Sequence, residues 1–386
     1  MAGAAAIPVW VHVTPVPGGG SGDQIAVVAP VLMAELHLLH GRLRLAAMGN
    51  LEGLTMPDGV LNPGAWGEGF EDRRHPHTYT HELVLTGIQP FRPGGADAVS
   101  LAFGKGFAPF GTDDPMSRPF VQYPVNHHLA QILERMVAIA AVRIGPLTGE
   151  AGLFNGDEPE RPTQLPNFRR FGDSWSARLT ARPAAGMELQ GSYAGVASPE
   201  HRGGQGLDQA KWSASARVEE PVGTGVAYAL VEWARTSEGG GVFVYHSFLG
   251  EGALHVRGAD LAYRFERSER PEEQRLLELF RTVRPLLDNS IVGRSRWTVH
   301  TLAVDATLPG RWGSLRAAPF AELSHGRVTS LSPAAFDPAA FYGRDTFWSV
   351  AIGVRLGWGM RLHRMGRYGA SADPPRPGGL ATHDMQ

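Results

Sequence analysis

The fold is decided by residues 173–219, which read DSWSARLTARPAAGMELQGSYAGVASPEHRGGQGLDQAKWSASARVE. Side chains in this stretch alternate between apolar and polar in three runs that are separated by turn residues. In the first run Trp175, Ala177 and Leu179 alternate with polar residues such as Arg178. A period of two is typical of a β-strand that has one apolar and one polar face.

The character of the two faces favours a membrane barrel over a soluble sandwich. The apolar face carries aromatic residues such as Trp175 and Trp212, and the opposite face carries charged residues such as Arg178 and Arg217. In a transmembrane β-barrel the apolar face contacts lipid, aromatic residues lie near the interfaces, and the polar face lines the interior. A soluble sandwich would turn its polar face to bulk water and its apolar face to a core.

The same pattern recurs along the chain, and its clearest example is Thr346–Met360. There Trp348, Ile352 and Trp358 share one face. Counting such segments gives about 15 strands, or about 16 when Ile7–Thr14 is included. The sequence therefore predicts an all-β fold: a transmembrane antiparallel up-and-down β-barrel of about 16 strands, within roughly 14–18.

The chain divides into three predicted parts. Residues 1–24 are expected to form an N-terminal segment, and residues 25–360 the transmembrane barrel. Residues 361–386 are polar and rich in Gly and Pro, so we expect a disordered tail. Tight turns would face the periplasm and long loops the outside of the cell.

Two loops are expected to contain short helices, at His127–Met136 and Pro271–Leu287, because their leucines have helical spacing. The segment Phe107–Asn126 is rich in Pro and unsuited to regular structure. A loop of that length inside a compact domain is usually functional or folded inward.

Composition excludes several classes of protein. Charged residues make up 19% of the chain, and 49 glycines with 29 prolines indicate many turns and few long helices. The formal net charge of −2 gives no basic surface for nucleic acid. The chain has no cysteine, which excludes disulfides, thiolate metal sites and cysteine nucleophiles.

Export is the weak point of this interpretation. No segment reaches the roughly 18 apolar residues of a membrane helix, and no secretory signal is evident in Met1–Pro17. An outer-membrane barrel must be exported. Either the signal has been removed, or the true start lies upstream, or the barrel interpretation is wrong.

Several motifs follow one another in a fixed order. By these motifs the chain resembles a large family of porin-like bacterial outer-membrane β-barrel proteins, over roughly residues 30–360. The resemblance implies a barrel in the cell outer membrane, but the family brings no assigned substrate or catalytic residue. Its members usually begin with a cleavable signal and end near the final aromatic strand, and this chain shows neither feature. The motifs are Asp72-Arg-Arg-His-Pro-His77, Pro124-Val-Asn-His-His-Leu129, Phe154-Asn-Gly-Asp-Glu-Pro159, Asp173-Ser-Trp-Ser-Ala-Arg-Leu-Thr180 and Ser198-Pro-Glu200.

Histidines provide the candidate metal site. His75, His77 and His81 lie close together, and His127 and His128 follow about fifty positions later. Neutral imidazoles are common ligands of zinc, copper and nickel. We therefore predict a divalent metal site formed by His75, His77, His127 and His128. The alternative is that these side chains bind loop backbone and hold the loops to the barrel.

Charged residues on the polar faces are the predicted pore lining. In an open pore such residues select solutes by charge and size. In a closed barrel they would instead pair with one another and tie the interior together, and the sequence does not separate these alternatives. The predicted residues are Arg178, Arg182, Glu188, Lys211, Arg217, Arg264 and Arg296.

An enzyme is not expected. Ser247 follows His246, but adjacent residues of a strand face opposite ways, and no Gly-x-Ser-x-Gly motif is present. The sequence predicts a porin-like channel for small hydrophilic solutes or ions. The alternative function is a closed, non-conducting barrel that binds metal or a protein partner through His-rich loops. Outer-membrane lipid is an expected partner, and a homo-oligomer is another.

Overall fold

A computed structural model of the chain describes residues 1–63, 77–112, 115–223, 225–273, 280, 291–308, 315–359 and 364–372. Within these residues sixteen β-strands form one closed barrel. Every strand pairs antiparallel with its neighbours in the chain, and the first strand pairs with the last. The predicted all-β, up-and-down barrel is therefore confirmed.

Strand length divides the barrel into two walls. Seven consecutive strands, β3–β9, have 8–11 residues and form what we term the short wall. The other nine have 13–17 residues and form the long wall. The bounds are β1 Ala2–Thr14, β2 Gly22–Leu38, β3 Leu43–Asn50, β4 Thr80–Pro90, β5 Ala98–Gly106, β6 Arg135–Ile144, β7 Leu147–Phe154, β8 Ser174–Ala181, β9 Met187–Val196, β10 Gln209–Val222, β11 Gly225–Glu238, β12 Phe243–Val256, β13 Ala259–Glu273, β14 Ile291–Ala306, β15 Leu315–Ser330 and β16 Thr346–Gly359.

Burial along the strands shows which face is outside. On β8, Trp175 and Leu179 are exposed, whereas Ser176, Arg178 and Thr180 are buried. A water-soluble protein would show the reverse, because apolar side chains leave water more readily than charged ones. The polar face therefore points into the barrel.

Exposed apolar side chains continue around the outside of the barrel. They occur on both walls and at successive outward positions of neighbouring strands. An apolar surface of this extent is stable only in contact with lipid, so the barrel is a transmembrane one. Examples are Trp10, Leu32, Leu85, Leu101, Phe103, Leu153, Trp233, Phe248, Leu302, Leu323, Trp348 and Trp358.

The predicted N-terminal segment is part of the barrel, so the boundary at residue 24 is wrong. Strand β1 pairs with β2, and it also pairs with β16 from Gly3 opposite Gly359 to Thr14 opposite Trp348. The run of small residues at its start hides the alternation that begins at Val9. From there onward the side chains alternate regularly, with Val9 buried and Trp10 exposed.

Connections between strands alternate between short and long. Gly145 and Pro146 alone join β6 to β7, and Arg257 and Gly258 alone join β12 to β13. We term this rim the tight-turn end and the opposite rim the long-loop end. The amino group of Met1 donates to the Glu35 carbonyl at 2.6 Å, and β16 ends at the same rim. The first strand therefore begins, and the last strand ends, at the tight-turn end.

The α-helices within the described ranges are short: α1 at Glu52–Thr55, α2 at His127–Ala130 and α3 at Pro338–Tyr342. Among the residues that the structure describes, no helix is long and apolar enough to cross a membrane.

The helix predicted at His127–Met136 is correct only for its first turn. Glu134 has a left-handed backbone with a φ of 56°, which reverses the chain, and β6 begins at the next residue. Of the helix predicted at Pro271–Leu287, residues 271–273 belong to β13. The remainder, apart from Phe280, lies outside the described residues.

Arginine substitutions should test which face meets lipid. Ile352 and Ala214 lie on outward faces near the middle of β16 and β10. Arg at the midplane of such a barrel costs roughly 2–4 kcal/mol. We therefore expect Ile352→Arg and Ala214→Arg to lower the fraction folded in lipid vesicles, measured by urea titration.

Val242→Arg serves as the control, because Val242 lies in the turn between β11 and β12 and is 74% exposed. We expect little change from it. Equal stability of all three variants would show that the outward assignment is wrong.

Candidate functional site

All the charged residues predicted to line a pore except Arg296 project into the barrel interior, and most of them are covered. Arg178, Lys211 and Arg264 are 2–3% exposed, and Arg217 and Glu188 are 6–7% exposed. The side chain of Arg182 keeps some contact with water and is 19% exposed. Arg296 alternates with the buried, inward-facing Ser295 and Trp297 and pairs with Glu269 on the outward face, so it does not project into the interior. That the inward-facing residues line a conducting path stays a prediction.

Most of these charges are paired with carboxylates across or along the interior face. Arg178 makes a two-point contact with Glu150, at 2.6 and 2.8 Å. Arg264 Nε lies 2.9 Å from Glu266 Oε1. Paired, hydrogen-bonded charges are the arrangement that makes burial of ionised groups tolerable. Further interior pairs are Arg182 with Glu188 and Arg217 with Glu219.

A segment between β5 and β6 covers one side of the interior. We term residues 107–112 and 115–134 the inner loop. Its chain crosses the barrel: the Gly111 amide donates to Ser192 Oγ of β9 at 3.0 Å, and Gln122 Nε2 donates to Ser349 Oγ of β16 at 3.0 Å. The expectation that this Pro-rich segment folds inward is met.

Carboxylates on the long wall hold the inner loop through its own amides. The Val125 amide donates to Glu266 Oε2 at 2.6 Å, and the Gln122 amide donates to Glu322 Oε2 at 3.1 Å. Glu232 accepts from the side chain of Asn126 at 2.7 Å. Hydrogen bonds to an ionised acceptor are the stronger kind, so three wall residues fix the position of the loop.

Apolar packing fills the interior beside β14–β16, β1 and β2. The inner loop and the inward faces of these strands share one buried hydrophobic cluster. Water is excluded there, and any aqueous path must run elsewhere. From the loop the cluster takes Val121, Tyr123 and Val125, and from the strands Val9, Val11, Val13, Ala26, Val28, Trp297, Val299, Phe320, Phe347 and Ala351.

Residues 364–372, part of the predicted disordered tail, have a defined position in the structure. Residues 364–372 pack inside the barrel against the short wall, with Arg367 and Tyr368 buried. The Phe107 amide donates to the Tyr368 hydroxyl at 3.1 Å. The charged side chains Arg364 and Arg367, which contribute to the polar composition of this stretch, find carboxylate partners inside the barrel. Residues 361–363 and 373–386 lie outside the described residues.

The structure describes three of the predicted metal ligands: His77 contacts Glu52 and His81, and His127 contacts Tyr123 and His128. His77 Nδ1 lies 3.1 Å from Glu52 Oε2, and its ring lies 4.8 Å from that of His81. His127 stacks on Tyr123, with ring centroids 4.8 Å apart. The His127 ring also lies 4.5 Å from that of His128.

No metal site is visible in the part of the chain that the structure describes. Within those residues no group of three or more His, Asp and Glu side chains is placed to hold an ion. His75 lies outside the described residues. A site that combines His75 and His77 with His127 and His128 therefore remains a prediction.

Sequence reasoning missed Glu134, which joins the inner loop to β4 and β5. It accepts from the Thr78 amide at 3.1 Å and the Thr78 hydroxyl at 2.7 Å, and lies 3.0 Å from His81 Nδ1. Lys105 Nζ is 3.6 Å away. Burial alone would raise the pKa of Glu134, but the charges and hydrogen bonds of Lys105, His81 and His77 hold it well below its usual range.

Comparison with known proteins gives a match in structure only. No family model matches the chain, and no curated protein matches it. The anion-selective porin from Comamonas acidovorans is similar in structure, with a TM-score of 0.54 at 10% identity, over 93% of this chain and 99% of that one. The trimer form of OmpT from Vibrio cholerae gives a TM-score of 0.49 at 11% identity, over 93% and 99%. OccAB3 from Acinetobacter baumannii gives 0.46 at 11% identity, over 92% and 98%.

The chain has the fold of an outer-membrane porin. At 10% identity the likeness reaches the fold and no further. Among the described residues, the inner loop and residues 364–372 occupy part of the interior of this fold.

Replacing Glu134 should destabilise the barrel in a pH-dependent way. The pKa of Glu134 is lower in the folded state than in the unfolded state. The ionised carboxylate therefore stabilises the fold fully at pH values above the unfolded-state pKa, and this stabilisation is lost as the pH falls through the folded-state pKa. We expect Glu134→Gln to lower the free energy of unfolding at pH 7 by roughly 1–3 kcal/mol. The difference in free energy of unfolding between the variant and the native protein should become smaller below about pH 4.

Urea unfolding in lipid, followed by tryptophan fluorescence at several pH values, measures this difference. Glu220→Gln, at an exposed position of β10, is the matched control and should change little. A Glu134→Gln effect of constant size at every pH would mean that the ionised carboxylate is not what stabilises the loop.

Proposed function

We propose that the protein is a porin-like channel of the cell outer membrane that passes small hydrophilic solutes or ions. The observation that supports this most is a closed sixteen-strand barrel with the fold of an outer-membrane porin. The interior charge of Arg182 also keeps contact with water, although most interior charges are buried and paired. Sixteen strands also enclose enough space for an aqueous channel.

The channel that these residues would form is narrow and lies toward the polar side. The apolar cluster of the inner loop closes the interior beside β14–β16, β1 and β2. Partial exposure of Arg44 and Arg182, at 21% and 19% of their side chains, marks where water reaches charged groups inside the barrel. We therefore propose a small pore, selective by charge, in place of a wide opening.

The alternative of a closed barrel that binds a partner through His-rich loops receives less support. His77, His81 and His127 are 4% exposed or less, and His128 is 7% exposed. Side chains buried to this extent do not present their imidazoles to another protein. They hold the chain in place, as does His81 on Glu134.

Conductance in planar bilayers tests the channel. We expect small single-channel steps from the native protein and larger ones from the double variant Glu266→Ala, Glu322→Ala, because these carboxylates hold the inner loop. Asp345→Ala, which removes an exposed carboxylate paired with Arg327, is the control. Folded barrels that conduct in neither native nor double-variant form would contradict the proposal.

A second copy of this chain is the partner that we propose for the outside of the short wall. A strand of eight residues tilted by about 45° spans roughly 19 Å of membrane, less than the apolar band of about 25 Å. Lipid must thin to meet such a wall, and oligomerisation is one way to relieve that mismatch. A groove of about 800 Å³ lies on this face, with alanines at its floor: Ala138, Ala140, Ala151 and Ala177, between Leu85, Leu101, Phe103, Leu153 and Trp175.

Filling the groove should separate the copies. We expect Ala140→Trp to convert oligomers to monomers in lipid nanodiscs, measured by native mass spectrometry, without loss of the folded barrel. Ala214→Trp makes the same change on the outward face of the long wall and should leave the assembly intact. Monomers for the native chain would contradict this proposal and leave the channel proposal untouched.

A further inference from the structure

The C-terminal segment, residues 364–372, is held by a charged pocket of the short wall. Arg364 donates to both carboxylate oxygens of Glu188, at 3.0 and 2.6 Å. Arg367 donates to Glu188 Oε1 at 3.0 Å and to Thr180 Oγ1 at 2.9 Å. In the other direction, Arg178 Nη2 donates to the Gly366 carbonyl at 2.6 Å. We term Arg178, Thr180 and Glu188 the Glu188 pocket.

The chemistry of the Glu188 pocket selects its occupant. A carboxylate and a hydroxyl accept from guanidinium groups, while a guanidinium of the wall requires an acceptor such as a peptide carbonyl. A simple cation would add no acceptor to the Glu150 carboxylate and Gly111 carbonyl that Arg178 already has, and a simple anion would be repelled by Glu188. A short peptide with two arginines meets both requirements, because its side chains donate and its backbone accepts.

The pocket lies close to the tight-turn end. Glu188 is the second residue of β9, and Thr180 is the next-to-last residue of β8. The segment touches the wall near the same rim elsewhere, since the Ala370 amide donates to Ser100 Oγ of β5 at 2.9 Å. Strand β16 ends at this rim, so the C-terminal segment enters the barrel from there.

The occupant can leave without disturbing the sheet. Residues 364–372 pair with none of the sixteen strands, and their regular structure is one short turn at Gly369–Ser371. The pocket also keeps internal partners: Arg182 Nη2 lies 2.9 Å from Glu188 Oε2, and Arg178 keeps its contact with Glu150. Departure therefore leaves no buried charge of the pocket without a counter-charge.

We propose that the Glu188 pocket is a binding site for arginine-bearing peptide, which the chain's own residues 364–372 occupy and thereby close the tight-turn side of the barrel. The closing role rests on the proposed channel function. The binding role does not, because it depends only on the contacts of the pocket.

Peptide binding to a shortened chain tests the site directly. Removing residues 364–386 leaves all sixteen strands and empties the pocket. We expect a fluorescent peptide of residues 364–372, RMGRYGASA, to bind this barrel in lipid, read by fluorescence anisotropy. A peptide with both arginines replaced by glutamate should not bind. Glu188→Gln should weaken binding roughly tenfold or more.

Absence of binding, or equal binding of the two peptides, would overturn the proposed site. The full chain offers a second measurement that does not depend on truncation. The double variant Arg364→Glu, Arg367→Glu should free the pocket and bind added peptide. The control Arg327→Glu, a charge reversal at an exposed residue of β15, should leave the pocket occupied as in the native chain.

Conductance of the same proteins separates the two roles. We expect the shortened barrel to conduct more than the full chain, and added RMGRYGASA to reduce that conductance. Equal conductance of both forms, with peptide bound, would overturn the closing role. Peptide binding to barrels that never conduct would support the site and contradict the channel proposal.

Discussion

The lack of hydrogen-bond partners in lipid governs this structure. Every backbone amide that faces hydrocarbon must be satisfied within the protein, and a sheet reaches that state only when its two edges meet. Pairing of β1 with β16 provides that closure. In the closed sheet, alternate side chains point inward. Charged residues such as Arg178 and Glu150 are therefore buried in an interior with little water, where they pair.

The interior is consequently a structured protein core of two kinds. On one side, apolar side chains of the inner loop pack on β1 and its neighbours as in a soluble domain. On the other, ionised groups on β7–β9 meet one another and the C-terminal segment. Both sides are fastened by hydrogen bonds to carboxylates, as Glu322 and Glu188 show. A barrel fold thus gains specificity from the segments inside it, and its wall remains a regular sheet.

The fold could be predicted from sequence because it depends on a local period, and the interior could not because it depends on distant contacts. Trp175 and Arg178 reveal their faces by spacing alone. The sequence around Glu188 does not indicate that its partner is Arg364, because Arg364 lies 176 positions later in the chain. Likewise the composition of residues 364–372 resembles that of a disordered tail, since composition does not record the partners that a segment meets. The pattern of β1 is weak at Ala2–Ala6 for a simpler reason: these residues are small on both faces of the strand, so apolar and polar positions do not alternate.

Closure by the first and last strands also constrains how the barrel can be made. Gly3 lies opposite Gly359, so the sheet has two open edges until nearly the whole chain has arrived. A chain delivered from its N-terminus would carry β1 unpaired on one side for the entire time of delivery, and an open edge invites pairing with other chains. Assembly in the membrane therefore requires that the early strands be shielded until the last one arrives, and closure is a single late event for the whole sheet.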